Sequence, residues 1–229
     1  MFLTRVVLGL RRFQQWLVAQ AVFAILNVLK LLPADAAISF SDRVARWIGP
    51  KLGRHRLMLT NLRNAYPEKS DGELQEIALA SWGHMGRLAA EYVFLDRLFD
   101  FDPERSAPGR IEVSGIPLFL DLRDNPRPFI VFTAHTGNFE LLPVAGNSFG
   151  LDVMVLFRPP NNPYIAEKVF AFRSARMGRL VPSHAGSSFA LARRLEAGGG
   201  VGVLVDQKFG RGLTTSFFGR PVRTNPLLA

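Results

Sequence analysis

From Ile111 onward, short runs rich in β-branched and aromatic residues alternate with longer segments of helical periodicity, and this alternation narrows the possible folds more than any other feature. The runs are IEV at Ile111, FIVFTA at Phe129, VMVLF at Val153, LVPS at Leu180 and VGVLV at Val201, separated by helical segments at Glu140 to Phe149, Tyr164 to Met177 and Ser188 to Ala197. Strand runs alternating with helix-length segments predict βαβ units. The expected class is α/β, with a mostly parallel sheet flanked by helices. In open sheets of this kind ligands bind beyond the carboxyl ends of the strands, so the residues that follow each run are the first place to look for chemistry.

Upstream the period is different. Trp16 to Leu32 reads WLVAQAVFAILNVLKLL, an apolar run interrupted by Gln20, Asn27 and Lys30. Its length is near the lower limit for crossing a bilayer. Gln20 and Asn27 lie seven residues apart on one helical face, which equally suits a helix lying in the membrane interface or packed on the domain. A cleaved leader ending near Ala34-Asp35-Ala36 is a further alternative, opposed by Lys30 inside its apolar part. Arg5, Arg11 and Arg12 precede the run while Lys30, Arg43 and Arg46 follow it, so charge bias fixes no orientation. Helical periodicity continues through Ser39 to Ile48, Arg56 to Ala65 and Ser70 to Phe99, with Ser70 and Glu73 spaced as a capping box. Pro103, Pro108 and Gly109 then break the pattern.

A chain of 229 residues, nearly half of them hydrophobic, can bury one sizeable core. It contains no cysteine, which removes disulfides, thiolate metal sites and cysteine nucleophiles. The four histidines, His55, His84, His135 and His184, are not paired at metal-ligand spacing, so no metal site is expected. A formal charge of +9 favours acidic partners, whether anionic lipid, phosphorylated substrates, an acidic carrier protein or nucleic acid, and charge alone does not choose among them.

After the strand runs come His135, Arg158, Ser183-His184 and Asp206-Gln207, four polar stations predicted to share one rim. The sharpest element is His135-Thr136-Gly137-Asn138-Phe139-Glu140. On one continuous helix His135 and Glu140 would point apart. Across a strand end, a turn at Gly137 and a helix start capped by Asn138, the carboxylate is expected to fold back onto the imidazole. A carboxylate on one ring nitrogen fixes the tautomer and leaves the other nitrogen to accept a proton from an alcohol. The competing structural reading is a strand-end histidine with Glu140 merely charging a helix start.

With this motif the sequence resembles the lysophospholipid acyltransferase superfamily, and more closely the bacterial lipid A biosynthesis acyltransferases of the lauroyl/myristoyl type. The resemblance continues through Leu156-Phe157-Arg158-Pro159-Pro160-Asn161-Asn162-Pro163, Gly198-Gly199-Gly200, Asp206-Gln207, and Phe217-Phe218-Gly219 with Thr224. It implies transfer of a fatty acyl chain from acyl carrier protein to a hydroxyl of a lipid A precursor, at the cytosolic face of the inner membrane and without a cofactor. By the same resemblance His135 is the base and Glu140 its partner. Arg158 supports the acceptor or oxyanion region, and Asn138, Asp206 and Gln207 contact substrate. Residues 1–34 would then form a membrane-associating helix and residues 35–229 the catalytic domain. Such enzymes continue beyond the last motif, so an incomplete chain is expected.

Rival readings have weaker support. A serine hydrolase lacks its Gly-x-Ser-x-Gly elbow, and Gly186-Ser187-Ser188 reads as a helix start. Gly198-Gly199-Gly200 precedes a strand instead of opening a helix, which removes a phosphate loop. The basic residues Arg43, Arg46, Lys51, Arg54, Arg56 and Arg63 suit solvated helix faces or an anionic membrane better than nucleic acid. Arg173, Arg176, Arg179, Arg193 and Arg194 are candidates for docking carrier protein or phosphates. Acylation of a glycerophospholipid or another glycolipid is the enzymatic alternative. A non-catalytic membrane-surface binding protein is the alternative from another class.

Overall fold

The computed structural model describes residues 2–102, 109–183 and 186–224. Pro103, Pro108 and His184 lie outside the described residues. Contacts divide the chain into a helical unit, Ile25–Leu98, and an α/β unit made of Met1–Ala24 with Phe99–Ala229.

The N-terminal segment is one long helix, α1 (Phe2–Leu29), followed by α2 (Ala34–Ile48), α3 (Arg54–Ala65), α4 (Asp71–Glu91) and the single turn α5 (Leu95–Leu98). Among the described residues no helix is long and apolar enough to cross a membrane. Within the helical unit α2 packs on α4 through small residues. A Cβ placed on Gly86 would lie 2.3 Å from the Ser41 carbonyl oxygen and 2.6 Å from the Ala45 methyl group, so only glycine permits this approach. The capping box forms as the spacing predicts: the Glu73 backbone N–H donates to Ser70 Oγ (3.3 Å), and the Ser70 N–H donates to the Glu73 carboxylate (2.9 Å). Buried His55 ties α3 to α4, accepting from the Trp82 indole N–H at Nδ1 (3.2 Å) and facing Gln75 Oε1 with Nε2 (3.2 Å). Both contacts are satisfied by the neutral imidazole that carries its proton on Nε2.

In the α/β unit the chain runs α6 (Ile116–Asp124), β1 (Phe129–Thr133), α7 (Leu141–Ser148), β2 (Val153–Phe157), α8 (Pro163–Ser174), β3 (Arg179–Pro182), α9 (Ser187–Glu196), β4 (Gly200–Leu204), β5 (Lys208–Phe217) and β6 (Arg220–Thr224). Strands β1 to β4 form one parallel sheet in the order β1-β4-β2-β3. The expected α/β class with a parallel sheet is therefore found. On one face α9 buries Leu191 and Leu195 against Val201, Val203 and Met154. The first half of α1 is tied to this unit by Asn162, whose side-chain amide donates to the Gln15 carbonyl (2.7 Å) while its Oδ1 caps α8.

Two parts of the sequence behave differently from expectation. The run IEV forms no strand: residues 111–115 are irregular and lead to Gly115, which takes a left-handed conformation (φ 79°) at the start of α6. Three residues offer too few ladder hydrogen bonds to hold a strand without a neighbouring edge to pair with. The segment after Asp206-Gln207, not assigned from sequence, is an antiparallel hairpin of β5 and β6. Its turn residues Phe218 (φ 50°) and Gly219 (φ 69°) both have positive φ, as a two-residue type I′ turn requires.

Candidate active site

Strand register builds the site. β1 pairs with β4 so that Thr133 lies opposite Leu204, and the Val205 N–H still donates to the Thr133 carbonyl (3.1 Å) just past the strands. Two residues beyond each strand end stand His135 and Asp206, which therefore meet. The Asp206 carboxylate accepts from the His135 backbone N–H (2.8 Å) and lies 2.7 Å from Nδ1. With the Nδ1 proton committed to this carboxylate, Nε2 carries the lone pair. The Gln207 amide Nε2 donates to it at 3.1 Å. The Phe139 ring packs edge-on against the imidazole, with centroids 4.8 Å apart. Burial acts to raise the Asp206 carboxyl pKa, but the side-chain and backbone hydrogen bonds from His135, with the imidazole charge, more than offset it and hold the carboxyl below the ordinary range.

The turn between β1 and α7 has the expected chemistry. Gly137 takes φ 54°, and Asn138 Oδ1 accepts from the Glu140 backbone N–H (3.2 Å). The Glu140 side chain, however, has a partner other than the expected imidazole. It is 4 % exposed and forms an ion pair with Arg173 of α8, whose guanidinium also lies over the Phe157 ring at 4.8 Å. The carboxylate that the structure places on His135 is Asp206. The reason is geometric: α7 begins at Leu141, and from the helix start the Glu140 side chain reaches into the interior, where Arg173 neutralises it.

Glu140 and Arg173 sit in the wall of a cavity of about 330 Å³, on the sheet face opposite α9. Apart from this pair the lining is mostly apolar, with Leu118 of α6, Val131 of β1, Leu142 and Gly146 of α7, and Val155 of β2. Thr133 and Phe139, on either side of His135 in the chain, also line it. An apolar cavity of this size, opening beside a few convergent polar groups, has the make-up of a small-molecule or acyl-chain site.

The remaining stations divide. Arg158 follows Phe157 at the end of β2 and is exposed on the same rim. Ser183 follows β3, with its N–H donating to the Phe157 carbonyl (2.7 Å). Of the basic group expected to dock a carrier, Arg173 faces the cavity, while Arg179 and Arg194 both pair with Asp152 (3.3 and 2.6 Å). Arg173 is the site residue whose role sequence reasoning missed. Among several arginines on α8 and beyond, nothing local distinguishes the one that turns inward.

The model of the family described as bacterial lipid A biosynthesis acyltransferase matches residues 5–229. The chain belongs to that family. No curated protein matches it. In this acyltransferase of lipid A biosynthesis, the segments that carry the sequence resemblance lie at the places just described: the histidine turn after β1, the Arg158 segment after β2, and Asp206-Gln207 after β4. The non-catalytic binding reading falls with the family assignment.

Proposed function

We propose that the enzyme transfers a fatty acyl chain from the thioester of acyl carrier protein to a hydroxyl of a lipid A precursor at the cytosolic face of the inner membrane. His135 acts as the general base. The observation that carries this reading is an imidazole whose Nδ1 is held by a carboxylate, flanked in the chain by Thr133 and Phe139, which line a mostly apolar cavity. Nε2 takes the proton of the acceptor hydroxyl once that hydroxyl displaces the Gln207 amide. The alkoxide oxygen bonds to the thioester carbonyl carbon, the C–S bond breaks, and the leaving thiolate recovers the proton from the imidazolium. No covalent acyl-enzyme is needed. Arg158, exposed on the same rim, supports the negative charge on the acceptor phosphates or on the developing oxyanion.

Two carboxylates compete for the role of orienting His135. Asp206 has the geometry; Glu140 has the motif spacing. In this proposal Asp206 orients the base, and Glu140, anchored by Arg173, is a positioning residue that sets the start of α7 and with it Phe139 against the ring. The test offers acyl-carrier-protein thioesters with a lipid A precursor, or with lysophospholipid, to wild type, His135→Ala, Asp206→Asn and Glu140→Gln, and reads the product by mass. Loss of about 10²- to 10⁴-fold in the His135 and Asp206 variants is the expected result. A Glu140→Gln loss with Asp206→Asn unchanged would return the orienting role to Glu140. Product only from lysophospholipid would move the acceptor to the glycerophospholipids.

A further inference from the structure

Helix α2 packs in an unusual sense. Its small residues Ala37, Ser41 and Ala45 face inward, and Ser41 and Ala45 meet α4 at Gly86, while its two largest side chains point to solvent, Phe40 at 55 % exposure and Trp47 at 67 %. Ala36, Phe40, Arg43 and Trp47 fall within about one sixth of a turn of one another at the helical period, so they form one outward stripe. The stripe continues into the next turn, where Lys51 Nζ lies 3.4 Å from the Trp47 ring centroid and Leu52 is again exposed.

Charge on this stretch is one-sided. Between Ile25 and Ala65 there are seven Lys and Arg against two Asp. Neither acid interrupts the stripe: Asp42 is held by Arg46 (2.7 Å) on the α4 side, and Asp35 lies well round the helix from Phe40. Exposed aromatics flanked by cations, with a lysine stem laid along the indole, match what the interfacial layer of an anionic bilayer selects. There the ring sits among acyl chains and headgroups while the ammonium reaches the phosphates.

We infer that this outer face of α2, through Lys51 and Leu52, lies on an anionic lipid surface. It is a membrane contact separate from α1, and it does not depend on the acyl-transfer chemistry. The commitment to lipid over an acidic protein rests on Phe40 and Trp47. Two aromatic rings in line, with a lysine stem laid along one of them, suit a lipid interface in which the rings enter among headgroups and acyl chains while the ammonium reaches the phosphates.

Because the chain has no cysteine, one introduced thiol reports one position. The full chain carrying Phe40→Cys or Glu68→Cys is spin-labelled and bound to phosphatidylglycerol/phosphatidylethanolamine vesicles, with phosphatidylcholine vesicles as the comparison. The expected result is a label at position 40 that dissolved oxygen reaches and a water-soluble nickel chelate does not, with the label at position 68 open to the chelate. In parallel, Arg43→Glu/Lys51→Glu lowers partitioning onto the anionic vesicles by at least about tenfold. A label at 40 that stays in water while the chain is vesicle-bound overturns the inference. So does a charge-reversed chain that partitions normally but loses binding to acyl carrier protein, which would assign the face to an acidic protein.

Discussion

Replacing Arg173 with methionine tests the reading of the cavity most directly. In the wild type the Glu140 carboxylate is almost fully buried, and its neutralising partner is a guanidinium whose side chain is itself only 18 % exposed. Methionine keeps much of the volume and removes the charge, leaving an unpaired carboxylate in the wall of a mostly apolar cavity. Removing one partner of a buried ion pair costs about 3–5 kcal/mol, because the remaining charge is uncompensated. At about 2–4 °C per kcal/mol for a chain of this length, the thermal midpoint falls by roughly 6–20 °C. The double variant Glu140→Gln/Arg173→Met has no charge to strand and retains one amide short of partners, at a cost of about 1–3 kcal/mol. It should therefore be more stable than Arg173→Met alone by about 2 kcal/mol. The sign with pH follows too. A carboxyl left in an apolar wall binds its proton more tightly folded than unfolded, so the single variant is most stable below the ordinary carboxyl range and loses stability as pH rises through the raised folded value. Urea titrations of both variants at pH 5 and pH 8, followed by circular dichroism, measure all three quantities. An Arg173→Met loss under about 1 kcal/mol, or a double variant no better than the single, would refute a buried, charged Glu140.

Asp206→Asn removes a stabilising contribution that exists because the folded carboxyl pKa is depressed by His135. The gap between wild type and variant should be open at pH 5 and close as pH falls below about 4 and through the depressed folded value, as acid unfolding curves would show. Gly146 lines the cavity, and a Cβ there would meet nothing within 4 Å, so Gly146→Leu is tolerated by the backbone but fills part of the cavity, the proposed acyl-chain site. Products made from a mixture of donors should then shift to shorter chains by mass. Gly86→Ala drives a methyl group into the Ser41 carbonyl and should cost about 1–3 kcal/mol in the helical unit by chemical denaturation.

Much of this molecule is legible in local pattern. The five-residue strands at Phe129 and Val153, the turn at Gly137, the helix start at Ser187 and the capping box at Ser70 all follow from periodicity and from residues with few conformational options. The β5–β6 hairpin was missed because its turn uses Phe218, a residue that gives no turn signal, ahead of Gly219. The site was half legible. That His135, Arg158, Ser183 and Asp206 share a rim follows from their position after parallel strands, whatever the strand order.

Which of them touch does not follow, because side-chain period is a property of one strand, while adjacency belongs to the whole sheet. The chain supplies β1 and β4 seventy-one residues apart by their last members, Thr133 and Leu204 being separated by β2, β3 and three helices, and only the packed sheet inserts β4 between β1 and β2. That order brings Asp206 to His135. The sequence alone determined the class and the rim, and it singled out His135 as the residue to propose as base, since these need only local periodicity and residue chemistry. Tertiary structure decided which carboxylate holds the imidazole and which arginine turns inward to Glu140, since both depend on contacts between segments that sequence leaves unconnected.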